Sequence, residues 1–213
     1  MTDHPFITFL KTRIEKPLPG SDAQKKMLPV PVEESNARKR TAPVDASPSS
    51  VLIPIFIDEN NQLNVILTLR TSGIRHGGQI CFPGGRSEQN EEPLATALRE
   101  SQEEIGLPPE DVQVIGSITS FYLHHTNNKI EPFIGFLEKK PKLTRNPNEV
   151  EEIITVELNI LATEDKLINE RWNLEHNSFD VPYWNIHKVP LWGATAMIMS
   201  ELMELYREFL KQD

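Results

Sequence analysis

The chain has 213 residues, 38% of them hydrophobic, which is enough for one globular domain with or without an extension. Its 22 basic and 31 acidic residues leave a formal charge of −9, which excludes a broad attraction to nucleic acid or to an anionic membrane. One cysteine, Cys81, excludes an internal disulfide, and the leading apolar run, Val51–Ile57, is far short of the roughly 20 residues of a membrane span.

Residues 1–13 hold too short an apolar core for a signal peptide, so a cytoplasmic location is expected. Residues 1–50 are expected as an extended N-terminal arm, with residues 51–213 as the folded domain. From Lys16 to Ser50 prolines recur at 17, 19, 29, 31, 43 and 48 without helical or strand period. Arg38-Lys39-Arg40 reads as a solvated charge run. Val51–Ile57 is a buried strand, Asp58–Asn61 a turn, and Leu63, Val65, Leu67 and Leu69 alternate along a second strand, so the pair forms a hairpin. A glycine-rich loop follows from Gly73 to Gly85. Residues 91–106 are predicted helical, with Leu94, Leu98, Ser101 and Ile105 on one stripe and Gly106 and Pro108-Pro109 as the stop. Val112–Ser120, Ile130–Leu137 and Ile153–Leu158 are strand candidates. Residues 194–210 form a last amphipathic helix through Ile198, Leu202, Leu205 and Phe209. This order points to an α+β domain with a mixed sheet.

The chemistry concentrates between Gly85 and Leu107. At about 100° per residue, Glu100, Glu103 and Glu104 share about 100° of arc, opposite the Leu94/Leu98/Ile105 stripe. Three carboxylates at such spacing repel one another unless cations intervene, and hard divalent ions accept several carboxylate oxygens. Phe82-Pro83-Gly84-Gly85 lets the backbone approach a ligand closely. Cys81 reads as packing, His124 and His125 as solvated loop residues, and Trp192 as core.

Gly85, Glu91, Arg99, Glu100, Glu103, Glu104, Gly106 and Leu107, eight positions over 23 residues, resemble the Nudix box. Ser101 is the one departure, small where the family is usually apolar or small. The resemblance implies an α/β/α sandwich with a mixed sheet and Mg²⁺- or Mn²⁺-dependent hydrolysis of a nucleoside diphosphate derivative. On that pattern Glu100, Glu103 and Glu104 hold metal, while Glu103, Glu100, Arg99 and Glu149 serve catalysis, Arg99 by orienting carboxylates. Upstream, Leu67-Thr68-Leu69-Arg70, Ile74-Arg75-His76 and Gly78–Gly85 resemble the signature of coenzyme A pyrophosphatases, one residue short between Arg75 and Gln79. Leu191-Trp192-Gly193-Ala194-Thr195-Ala196 matches it too. This implies coenzyme A as the small-molecule partner, bound by Arg70, Arg75, Gly84 and Gly85, with no nucleic acid and no membrane; a homodimer is left open. A Nudix enzyme for another substrate, such as ADP-ribose, and a non-catalytic nucleotide-binding Nudix module are the alternatives.

Overall fold

The computed structural model describes residues 4–32, 43, 45–73, 76–174 and 177–212. Its helices are α1 (Pro5–Arg13), α2 (Gly20–Lys25), α3 (Pro93–Ile105), α4 (Leu158–Ala162) and α5 (Gly193–Leu210). Its strands are β1 (Val30–Pro31), β2 (Ser47–Ile57), β3 (Leu63–Arg70), β4 (Ile80–Cys81), β5 (Gly84–Arg86), β6 (Gln113–Ser117), β7 (Phe121–Leu123), β8 (Asn128–Leu137), β9 (Val150–Glu157), β10 (Leu167–Leu174) and β11 (Asn177–Trp184).

The strands β2 to β9 make one mixed sheet, in which β2 runs parallel to β8 and antiparallel to β3. The period of two in β2 and β3 sends alternate side chains to opposite faces. Leu52, Phe56 and Ile66 pack with Ala97 and Ile105 of α3, while Ile53, Ile55, Val65 and Leu67 pack with Met199 and Leu202 of α5. Helices on both faces make the expected α/β/α sandwich.

The described part of the first fifty residues is not an extended arm. α1 opens with His4 Nδ1 accepting from the Phe6 amide at 3.2 Å and with Pro5 in its first turn, where a missing N–H costs nothing. Phe6, Ile7 and Leu10 are 0% exposed. The Phe6 ring lies 4.9 Å from Tyr206 and 5.3 Å from Phe209, and Arg13 Nε donates to Glu208 at 2.6 Å. α2 brings Gln24 onto the buried Glu201 at 3.0 Å. α1 is nine residues long and holds only one apolar turn, so periodicity alone is a poor signal for it; its stability comes from packing on α5. Arg38–Arg40 lie outside the described residues. If α1 is core, Ile7→Val should cost about 0.5–1.5 kcal/mol in urea unfolding; a solvated arm would show no change.

A second sheet, β1-β11-β10, is absent from the sequence expectations. β10 is mostly exposed and Pro182 interrupts β11, so neither carries a clean apolar alternation. Trp184 of β11 is the buried tryptophan, with Nε1 donating to the Leu161 carbonyl at 3.2 Å. Trp192, expected in the core, is half-buried and meets Trp172 edge-on at 5.3 Å.

Candidate active site

The hairpin of β2 and β3 pairs directly only at Ile55–Ile57 and Leu63–Val65. Beyond that the strands diverge, and the chain from Ile80 to Arg86 fills the opening. β4 pairs with Thr68 and Leu69, and β5 pairs with Ser49, Ser50 and Val51. The Leu52 amide donates to the Pro83 carbonyl at 2.9 Å. Gly84 sits in this wedge at φ +152°, where any Cβ would collide with the Ser50 carbonyl oxygen and Val51 Cα. A Cβ on Gly85 would strike the Glu100 carboxylate, so this glycine brings backbone against a predicted metal ligand.

α3 presents its carboxylates from a different angle than the leucine stripe implied. Its buried residues are Thr96, Ala97, Ser101, Glu104 and Ile105, so Glu104 faces the sheet. Ser101 is accommodated there because its hydroxyl donates to the Ala97 carbonyl one turn back at 2.7 Å. Arg99 fastens the outer face. Its Nε and Nη2 grip Glu91 at 2.8 and 3.0 Å, and its Nη1 reaches Glu100 at 3.0 Å and Glu103 at 3.1 Å. A further bond from Nη2 to the Arg86 carbonyl, 3.2 Å, ties the helix to β5. A fork-shaped cation suits such bidentate work, and Arg99 is held more firmly protonated by these carboxylates.

Glu91 braces the box. Besides Arg99 it accepts from Thr96 Oγ1 at 2.7 Å and from the Glu88 amide at 3.0 Å, and its carboxyl is held down at about 2, chiefly by the Arg99 bond. Because the folded value lies below the unfolded value near 4.5, the stabilisation is full above about pH 4.5 and is lost as pH falls toward 2. Glu91→Gln should therefore flatten the fall of stability over that window; an unaltered acid-unfolding profile would remove Glu91 from this role.

The third carboxylate comes from outside the helix. α3 ends at Gly106 with φ +66°, and its last carbonyls find partners in the following loop. The Thr144 amide donates to the Ile105 carbonyl at 2.9 Å and the Asn146 amide to the Glu104 carbonyl at 2.8 Å. This docking delivers Glu149. One carboxylate oxygen each from Glu100, Glu104 and Glu149 lie within 4.8 Å of one another. Glu103 is not in that set: its side chain is 54% exposed and bonds Arg99. Glu151 is exposed, and Glu152 pairs with His187 at 3.3 Å and Lys188 at 3.6 Å.

Glu104 is 1% exposed, accepting from Arg70 Nη1 and from the Gly84 amide, each at 3.2 Å. Burial is the largest influence on its carboxyl and pushes it up to about 7, despite Arg70 and Gly84, with Glu100 and Glu149 adding to the rise. Burial also raises Glu100. Glu100 and Glu104 resist ionisation, and with Glu149 beside them the cluster needs more positive charge than one arginine supplies. All the donors are hard oxygens, so the set fits Mg²⁺ or Mn²⁺.

Beside this cluster lies an open cleft of about 240 Å³ whose lining includes Gly84, Gly85, Arg70, Arg86, Phe82 and residues of α5. Gly84 and Gly85 form the wall shared with Glu104 and Glu100. Arg70 lines the cleft but is already engaged with Glu104, and Arg75 lies outside the described residues. Cys81 lines the cleft as well. Its Sγ is 3.1 Å from Thr68 Oγ1, and burial pushes the thiol up to about 11, the state of a packing residue and not of a nucleophile. His124 is exposed. The side chains of Arg86, Ser49 and Thr195 in the cleft wall were not anticipated. Arg86 follows Gly85 directly and Thr195 lies in the quoted tryptophan-glycine segment, whereas Ser49 carries no sequence signal.

A family profile described as NUDIX domain matches residues 46–177. Among curated proteins, Nudix hydrolase 3 of Caenorhabditis elegans is 29% identical over 75% of this chain and 73% of its own length. The peroxisomal coenzyme A diphosphatase NUDT7 of Mus musculus is 32% identical over 60% of this chain, which spans 54% of that relative's length. Among solved structures, a Nudix hydrolase from M. Smegmatis, RenU, superposes with a TM-score of 0.56 at 18% identity, covering 76% of this chain and 87% of that one.

Proposed function

We propose that this chain, which belongs to the Nudix family, is a metal-dependent pyrophosphohydrolase whose substrate is coenzyme A or a derivative of it. The observation that carries the hydrolase reading is the Glu100–Glu104–Glu149 cluster set against a cleft through two glycines. Coenzyme A is favoured by the Arg70-to-Gly85 and Leu191-to-Ala196 segments, and by a coenzyme A diphosphatase among the relatives.

Glu100, Glu104 and Glu149 would hold the cation, Mg²⁺ or Mn²⁺; when bound, it supplies charge neutralisation to a diphosphate and lowers the pKa of water. Arg99 holds Glu100 and Glu103 in place and touches no substrate. Arg70 positions the buried Glu104. Glu149, on a loop and not on the helix, is the carboxylate assigned to take the proton of the attacking water. The new bond joins water oxygen to phosphorus, and the bond broken is the anhydride P–O. The products are 4′-phosphopantetheine and adenosine 3′,5′-bisphosphate.

A panel of coenzyme A, dephospho-coenzyme A, ADP-ribose and a dinucleoside polyphosphate, with products identified by mass, tests this. Chelator-sensitive turnover with coenzyme A preferred is expected. Preference for ADP-ribose would reassign the substrate, and turnover that persists in excess chelator would overturn the metal reading.

A further inference from the structure

The cleft carries a second set of polar groups that diphosphate cleavage does not use. Among the described residues, Ser49 Oγ, Thr126 Oγ1 and Asn128 Oδ1 are buried without a hydrogen-bond partner, and all three residues line it. Ser49 is 7% exposed as a residue. Unpaired buried polar atoms are few in folded proteins and costly, so three around one cleft indicate a partner supplied by a ligand.

The same wall includes Ala194 and Thr195, the first turn of the 18-residue helix α5. That turn has no side-chain cap and no acidic residue, and the space beside Gly193 is open. Its amides, which no intrahelical carbonyl satisfies, and the positive end of the helix dipole favour an anion. Among the described residues the lining holds no Asp or Glu. It does hold Arg86, exposed at the rim and in no ion pair among the described residues.

We infer that the cleft contains a subsite for a phosphate monoester that the substrate carries in addition to its diphosphate. The first-turn amides of α5 and the hydroxyls of Ser49 and Thr126 donate to the phosphate, and Asn128 Oδ1 accepts from a hydroxyl beside it. This rests on the coenzyme A reading and deepens it, since the 3′-phosphate with its neighbouring ribose hydroxyl has that chemistry. It places recognition of that group at the far helix and not at Arg70, which Glu104 occupies.

The test compares kcat/KM for coenzyme A and dephospho-coenzyme A in native protein, Ala194→Asp and Ser49→Ala. An aspartate in the first turn suits the helix dipole, so α5 should survive while an incoming phosphate is repelled. The native ratio should favour coenzyme A at least about tenfold, the level at which one charged hydrogen bond acts. Ala194→Asp should bring it to within about threefold of unity, and Ser49→Ala should lower it by about threefold or more. In parallel, inorganic phosphate titrated into ¹⁵N-labelled native protein should shift the Ala194 and Thr195 amides, and Ala194→Asp should abolish the shift. Ratios untouched by both substitutions, or amides that do not respond to phosphate, would overturn the subsite. Native protein that cleaves neither compound would overturn the substrate reading instead, and the amide titration would then decide the subsite by itself. Amide shifts with a native ratio near one would assign the pocket to free phosphate and overturn its part in substrate selection.

Discussion

Glu104→Gln should lower kcat by at least about 10²-fold, the loss typical of removing one electrostatic stabiliser, while the protein still folds. Glutamine keeps the shape, and its one carbonyl oxygen can accept from Arg70 or from the Gly84 amide, donors that Glu104 meets with separate oxygens. What it lacks is the charge and the second acceptor. The folded environment raises the Glu104 carboxyl to about 7, above its value near 4.5 in the unfolded chain, so without cations the native protein is penalised increasingly as pH rises through that interval. The variant escapes that penalty. In cation-free buffer its stability relative to native should rise between about pH 4.5 and 7 and hold above. Adding Mg²⁺ or Mn²⁺ should reverse the order. A ligand at a hundred times its dissociation constant stabilises by about 2.7 kcal/mol, so the native Tm should climb while that of the variant stays nearly flat. A variant that keeps both its turnover and a cation-dependent Tm would remove Glu104 from the metal site.

Adjacent glycines should fail in opposite ways. Gly84→Ala places a Cβ against backbone on a paired strand, the Ser50 oxygen and Val51 Cα, at a φ of +152° that side chains rarely adopt. Neither strand can withdraw without breaking the β2–β5 ladder. A loss above about 4 kcal/mol is expected, large enough that soluble protein will be scarce. Gly85→Ala also meets an obstruction, but it is the end of the Glu100 side chain, which can swing aside. Its Tm should change little while kcat falls by about 10²-fold, because Glu100 leaves the cluster. Thermal melts and single-turnover rates on both variants check the contrast. A stable, active Gly84→Ala would mean the wedge relaxes more easily than its contacts imply, and an active Gly85→Ala would separate Glu100 placement from catalysis.

Both predictions depend on features with different visibility in the sequence. The strands β2, β3, β8 and β9 and the helices α3 and α5 were legible because each has enough residues for its apolar period to repeat. The box from Gly85 to Leu107 was legible as spacing, and so was the role of Arg99 as a carboxylate holder, since it is one turn from Glu103 on the same helix. α1 was not legible: one apolar turn between prolines gains its stability only by burial against Tyr206 and Phe209, nearly 200 residues later in the chain. The β10–β11 hairpin was hidden for a related reason, since a strand wet on most of its surface has little apolar pattern to show.

Local spacing determined that Glu100, Glu103 and Glu104 would project from neighbouring positions of one helix, because 3.6 residues per turn is a property of the backbone. It did not determine which of them meet. Helix rotation against the sheet turns Glu104 inward and leaves Glu103 toward solvent. Glu149 joins because the loop after α3 satisfies the carbonyls that the helix end leaves open. The same holds for the cleft: Ser49 begins one strand, Thr126 and Asn128 lead into another, and Thr195 begins the last helix. Residues from three separate segments share a wall only when the sheet register and the docking of α5 place them there, and those are outcomes of long-range packing that no local period encodes.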